Sequence, residues 1–244
     1  MKSNVKNEEF YVDIIGNTRL TANNHFEKWM NDYYFKSNGK IIKKYFLKLN
    51  IKVDQVLDIG CSHGSYYELW DEMGMSEKIG VDISEDRLNE AIKKGYNGFL
   101  CNATSLPFED DSIEFASSND MFVHVLIDDD KAKIIAEAYR VLKPGGYFIF
   151  NYAPTLGHGF KEDSVLKYCN FRELDTMIDL VKENTGFSIV DIKASHYKHR
   201  WFKGSHYILP RLQTRVIMPL LDKFKQYSLL DESLYSYIIV RKPE

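Results

Sequence analysis

The chain is expected to fold as an α/β domain around a doubly wound, largely parallel sheet, on three observations. Short apolar runs alternate with helical periods from Val53 onward. The first run ends in a turn of one acid, two glycines and small polar residues, "VLDIGCSHGS" at 56–65. About twenty residues later a second run, "IGVDIS", again ends in an acid. At 244 residues, 44% of them hydrophobic, the chain can bury one sizeable core, so a single domain is expected.

Ahead of the alternation, "NNHFEKWMNDYYFKS" and "GKIIKKYFLKLN" carry aromatic and aliphatic residues at helical spacing. Asn38-Gly39 is expected to break them into two helices. "QVLDI" then reads as the first strand, followed by a helix through "YYELWDEM"; "KIGVDI" is the second, followed by a helix through "EDRLNEAIKK"; "NGFLCN" is the third. "SIEFASSN" is the fourth strand. The helix over "DKAKIIAEAYRVL" is expected to stop at Pro144-Gly145-Gly146, before the strand "GYFIFNY". A helix through "FRELDTMIDLVKEN", ended by Gly186, leads to the strand "FSIVDIKAS", and "SLYSYIIVRK" alternates as a last strand. The expected division of the single domain 1–244 is a helical cap at 1–52, a core at 53–195, a basic aromatic insertion at 196–231 and a final strand at 232–244.

A formal charge of -3 and a pI near 6.2 give no global reason to expect a nucleic-acid partner, although a local basic patch can sit inside a balanced total. The N-terminus lacks the apolar stretch of a secretory signal, and no run approaches the roughly 20 apolar residues that span a bilayer. A soluble, cytoplasmic protein is expected. Cys61, Cys101 and Cys169 are odd in number and fall at unrelated spacings, so reduced thiols and no metal site are expected.

In a doubly wound sheet the ligand lies beyond the carboxyl ends of the strands, where a glycine turn lets it approach the backbone. Gly60 and Gly64 fit such a turn. A dinucleotide fingerprint would read G-x-G-x-x-G and bring pyrophosphate to the turn; here Asp58 stands at the strand end and the third glycine is missing. A carboxylate there repels pyrophosphate and favours a cationic ligand, which argues against NAD. Asp82 is placed to accept from both hydroxyls of a ribose; its alternative role is to cap the helix that follows.

With "VLDIGCSHG", "GVDIS", "CNATSLPFEDDSIEFASSND", "EAYRVLKPGGYFIF" and "ENTGFSIVDI" in this order, the chain resembles the class I S-adenosylmethionine-dependent methyltransferases, of the small-molecule, ubiquinone-methyltransferase-like branch. The resemblance runs from about Val53 to Ser195. It implies a Rossmann-like sheet of seven strands with an antiparallel last strand, and S-adenosylmethionine as cofactor. It also implies that Gly60, Cys61 and Gly64 line the cofactor by backbone, with Ser62 in the same turn, and that Asp58 faces the methionine ammonium. Asp82 would take the ribose with Ile83 against adenine, Asn102 and Ala103 would flank adenine, and Asn119 would stand near the reacting methyl. Ser62 replaces a usual glycine, which calls for a different turn or a hydroxyl contact. Asn102 replaces a common Asp, and its carbonyl still accepts from an adenine N–H.

Methyl transfer to a hydroxyl or an ammonium needs a group that removes a proton. His124 and Asp120, after the fourth strand, and His158, in the loop after the fifth, are the candidates. A wall of the pocket, a capping contact and an exposed loop histidine are their respective alternatives. Tyr11 and Arg19 are lid candidates ahead of the first helix, and the aromatic cap that includes Phe35 is expected to narrow the acceptor pocket. Residues 193–221 carry Arg200, Trp201 and further basic and aromatic residues without an acid, which fits an anionic small acceptor, a solvated face or homodimer interface, or RNA or lipid. The expected function is methylation of an oxygen or nitrogen of a small, anionic acceptor such as a phosphorylated or sugar-linked metabolite. An RNA-modifying methyltransferase and a non-catalytic cofactor-binding module are the alternatives, with nucleic acid the less favoured partner.

Overall fold

The computed structural model describes residues 25–154, 169–197 and 233–244. Its elements are α1 (His25–Lys48), β1 (Gln55–Ile59), α2 (Tyr67–Glu72), β2 (Glu77–Asp82), α3 (Glu85–Lys94), β3 (Asn97–Leu100) and β4 (Ile113–Ser118). A 3-10 turn (Phe122–His124), α4 (Asp128–Val141), β5 (Leu142–Tyr152), α5 (Leu174–Asn184), β6 (Ser188–Tyr197) and β7 (Ser233–Arg241) follow. The strands form one seven-stranded sheet in the order β3-β2-β1-β4-β5-β7-β6. β1 to β5 run parallel, and β7 enters antiparallel between β5 and β6. The doubly wound sheet and its antiparallel last strand are as expected.

Alternation along the strands divides the interior into two cores, one on each face of the sheet. Leu57 and Ile59 of β1, Phe148 and Phe150 of β5 and Ile238 and Val240 of β7 pack with Ile135 of α4 and Met177 of α5. Val56, Phe115, Ile149 and Ile239 pack on the opposite face with Ile42 of α1, Trp70 of α2 and Leu88 of α3. By the same alternation Asp58, Ser117, Asn151 and Tyr237 share the second face. Polar side chains thus gather near the carboxyl ends of the strands, on the side of α1 and α2.

The helix after β2 shows how local chemistry agrees with this plan. Glu85 and Asp86 occupy the first turn of α3 and Lys93 and Lys94 the last, which complements the helix dipole. Gly95, with φ 115°, supplies the left-handed residue that ends it.

Two boundaries differ from the sequence reading. Asn38-Gly39 does not break the N-terminal segment, and α1 is continuous through it. Asn38 is fully buried, donating to the Tyr66 hydroxyl (3.3 Å) and accepting from Ser195 Oγ (3.0 Å). A Cβ on Gly39 would stand 3.3 Å from Leu69, so the glycine lets α1 approach α2 closely. Tertiary packing offsets a helix-propensity loss of about 1 kcal/mol at the glycine. The second difference is at α4, which ends at Val141 rather than at the proline-glycine triplet. Leu142 pairs with Ile113 and opens β5 at once, and a register shift between Ile113 and Phe115 absorbs the triplet.

Candidate active site

After Ile59 the chain leaves the sheet through Gly60 (φ 75°), Ser62 (φ 50°) and Gly64 (φ 70°). Gly60 and Cys61 donate their N–H groups to the Val81 carbonyl (2.9 and 3.0 Å), and Ser62 donates its own to Asp82 Oδ2 (2.8 Å). The turn is therefore tied to β2 by the N–H groups that a pyrophosphate would need, and it is not a dinucleotide cradle. Ser62 keeps the left-handed conformation of the glycine it replaces, at roughly 1–2 kcal/mol. Its hydroxyl accepts from Arg87 Nη1 (3.0 Å) and meets His63 Nδ1 (3.2 Å).

A cavity of about 250 Å³ opens beyond the carboxyl ends of β1 to β4, where the strand order reverses between β1 and β4. Asp82, Ile83, Asn102 and Ala103 form its wall on the β2–β3 side. The turn contributes Gly60, Cys61 and Ser62, and the segment after β4 contributes Asn119, Asp120, Met121 and His124. Phe35 of α1 and Tyr66 close the side above β4. Gly60 is needed here, because a Cβ would come within 2.7 Å of the Met121 side chain.

Two residues assigned to the ligand from sequence are absent from this wall. Gly64 packs the turn onto α3, where a Cβ would lie 3.0 Å from the Tyr96 ring and 3.3 Å from Ala91 Cα. Asp58 is 1% exposed and lies behind the turn, accepting at Oδ2 from Trp70 Nε1 (3.0 Å) and the Tyr96 hydroxyl (2.7 Å). Burial raises its pKa to about 6. Asp58 thus pins α2 and the approach to β3 beneath the turn, and the ammonium contact that the resemblance implies for it stays an expectation. Tyr11, Arg19, His158, Arg200 and Trp201 lie outside the described residues, as do the lid and the basic insertion.

Asp82 serves two backbone partners at once. Oδ1 accepts from the Ser84 N–H (2.9 Å) at the start of α3, and Oδ2 accepts from Ser62. The capping contact is present, and because the carboxylate also borders the cavity, one lone pair on each oxygen is left for a ligand. Burial pushes its pKa up, opposed by the N–H groups of Ser84 and Ser62, by Arg87 and by the Ile83 N–H. The Asn102 carbonyl accepts from the Thr104 N–H (3.0 Å) and hydroxyl (2.9 Å), so its amide N–H is what remains for a ligand. Burial raises the thiols of Cys61 and Cys101, the latter to about 11, which keeps both protonated and poor nucleophiles.

Asp120 is the most constrained group on the wall. It sits at φ 60°, its N–H donates to Asn151 Oδ1 (2.7 Å), and its carboxylate accepts from Asn151 Nδ2 (3.0 Å) and the Tyr66 hydroxyl (3.2 Å). Burial raises its pKa, and no cation among the described residues is paired with it. Tyr66, Asn151 and Tyr237 escaped the sequence reading. Asn151 left a trace there, as an amide inside the apolar run "GYFIFNY", where a strand covered on both faces must find it a partner.

A family model described as a methyltransferase domain matches residues 57–150. An uncharacterised protein of Methanocaldococcus jannaschii is 31% identical over 183 residues, covering 70% of this chain and 84% of that protein. The ubiquinone/menaquinone biosynthesis C-methyltransferase of Desulfotalea psychrophila is 35% identical over 97 residues, 38% of each chain, so the likeness to that branch is confined to the shared core. Among solved structures, a SAM-dependent methyltransferase of Thermotoga maritima, described as a possible histamine N-methyltransferase, superposes with a TM-score of 0.62. It is 22% identical, and the match covers 89% of this chain and 94% of that one.

Proposed function

We propose, for a chain that belongs to the class I S-adenosylmethionine-dependent methyltransferases, that the acceptor is a small amine methylated on nitrogen. The observation that carries this reading is Asp120, a half-buried carboxylate on the cavity wall with no cation among the described residues to neutralise it. A buried charge is costly unless it is paired, so a site built around one selects a positively charged or proton-donating ligand. The Phe35 and Tyr66 rings beside it offer faces that a cation also favours. The Thermotoga maritima neighbour's description as a possible histamine N-methyltransferase agrees with nitrogen. The anionic acceptor expected from residues 193–221 and the amine read from Asp120 are compatible in one molecule that carries both groups.

The residues present fit the cofactor. Asp82 keeps lone pairs for a vicinal diol, Ile83 and Ala103 give an apolar slot beside the Asn102 amide, and the backbone of Gly60 and Cys61 borders the cavity without a phosphate cradle. When bound, S-adenosylmethionine supplies a methyl group carried on a positively charged sulfur. The chain's own work is then to orient the acceptor and to take its proton. Asp120 binds the ammonium, and its burial-raised pKa makes it a stronger proton acceptor than an ordinary carboxylate. Removing that proton exposes the nitrogen lone pair. His124 lies on the same wall and is a further candidate for the proton. Phe35, Met121, Val125 and Ile134 keep water away from the reacting groups.

The test is a radiolabelled methyl-transfer screen with small amines and the hydroxyl analogues of the same skeletons. Amines should be methylated and their hydroxyl analogues left unmodified, and Asp120→Asn should slow turnover by about 10²–10⁴. Equal or faster turnover of the hydroxyl series would overturn the nitrogen assignment.

A further inference from the structure

The carboxylate at the β4 end of the cavity terminates a directed chain of hydrogen bonds assembled from distant parts of the sequence. Ser195 on β6 donates to Asn38 Oδ1 on α1 (3.0 Å), Asn38 Nδ2 donates to the Tyr66 oxygen (3.3 Å), and the Tyr66 hydroxyl donates to Asp120 Oδ2 (3.2 Å). On the other side Asn151 Nδ2 donates to Asp120 Oδ1 (3.0 Å) and to the Tyr237 oxygen (3.3 Å). Tyr237 in turn donates to Asn119 Oδ1 (3.0 Å), and Asn119 Nδ2 to Ser117 Oγ (2.9 Å). Every donor of the first branch points toward Asp120, so each bond polarises the next in the sense that favours negative charge there. Asn151 also grips the Asp120 backbone N–H (2.7 Å), clamping a left-handed residue whose conformation costs roughly 1–2 kcal/mol. Strain of that kind persists only where the surroundings over-determine it.

We propose that Tyr66 and Asn151 are positioning residues that hold the Asp120 carboxylate toward the acceptor end of the cavity, with Asn38 and Ser195 extending the same alignment to α1 and β6. The proposal rests on the reading of Asp120 as the amine-binding group, and the two can fail separately. Among the described residues, the titratable groups around Asp120 are the Tyr66 and Tyr237 phenols, contributed by the entrance to α2 and by β7, and His124 on its own segment.

Protein saturated with S-adenosylhomocysteine is titrated with phenethylammonium and with phenethyl alcohol, its uncharged counterpart, from pH 4 to 8. The wild type should prefer the ammonium, and Tyr66→Phe and Asn151→Ala should each reduce that preference about tenfold, the worth of one hydrogen bond to a charged group. The pH at which the preference appears should also move upward in both variants, because fewer donors then favour the ionised carboxylate. A structural defect alone would weaken both ligands together and leave their ratio and its pH midpoint in place. Tyr66→Phe removes a single oxygen and keeps the test open if Asn151→Ala does not fold. A preference that Asp120→Asn abolishes but the other two variants leave unchanged overturns the positioning role alone. No preference in the wild type, or binding of the ammonium only when the homocysteine cofactor is absent, overturns the amine reading and this proposal with it.

Discussion

Burial holds the Asp58 carboxyl at a pKa of about 6, against an ordinary value of 3.8. The folded chain therefore keeps this proton to a higher pH than the unfolded chain does. Its contribution to stability is fully present below the unfolded value and is lost as pH rises through the folded one, a window from 3.8 to about 6. A shift of that size corresponds to about 3 kcal/mol. Asp58→Asn removes the titration, so urea unfolding of both proteins should show the wild type losing up to that amount relative to the variant between pH 4 and pH 7. A difference that stays constant over that range would remove Asp58 as the source. Position alone made Asp58 legible as a key residue of the turn. Its partners were not, because Trp70 reaches it from within α2, 12 positions on, and Tyr96 from beyond α3, 38 positions on.

Helix α1 shows a local signal overruled by packing. An Asn-Gly pair is among the strongest turn signals in a sequence, yet here the asparagine side chain is spent on Tyr66 and Ser195 and the glycine on Leu69. The two views predict opposite outcomes for Asn38→Ala. If the pair marked a break, alanine would strengthen the helix; with two buried partners stranded, it should destabilise the protein by about 1–2 kcal/mol despite its better helix propensity. Chemical denaturation measures the difference, and a stabilised variant would sink the packing account. Strands were easier to read than this helix, because β1, β2, β4 and β5 each carry their own apolar run. Asn151 is the exception, since its side-chain partners, Asp120 and Tyr237, lie on two other segments.

For the whole molecule, the βα alternation and the turn chemistry were enough to specify the sheet and most of the cavity wall on the β1–β3 side, since both are written in contiguous stretches. The acceptor side was not, because it is completed by Asn38, Tyr66, Asn151 and Tyr237, with Ser195 bonding Asn38 across 157 positions. The cofactor assignment has a global consequence through linkage. S-adenosylhomocysteine at one hundred times its Kd should stabilise the fold by about 2.7 kcal/mol, whereas NAD should not. Asp82→Asn should lower that stabilisation by reducing affinity about tenfold or more, read as a smaller rise in Tm at equal ligand. A ligand shift that survives Asp82→Asn unchanged would remove the ribose assignment.

β7 follows β6 in the chain but lies between β5 and β6 in the sheet. As the polypeptide emerges during synthesis, β1 to β4 can pair in order of appearance and shape the nucleoside side of the cavity. β6 cannot reach its final neighbour until β7 arrives, and such long-range pairings form late. Tyr237, which β7 carries, is the group that bridges Asn151 and Asn119. The two sides of the cavity are therefore completed on different clocks, and on the function proposed above a nascent chain would shape the place for its methyl donor before the side that Tyr237 braces.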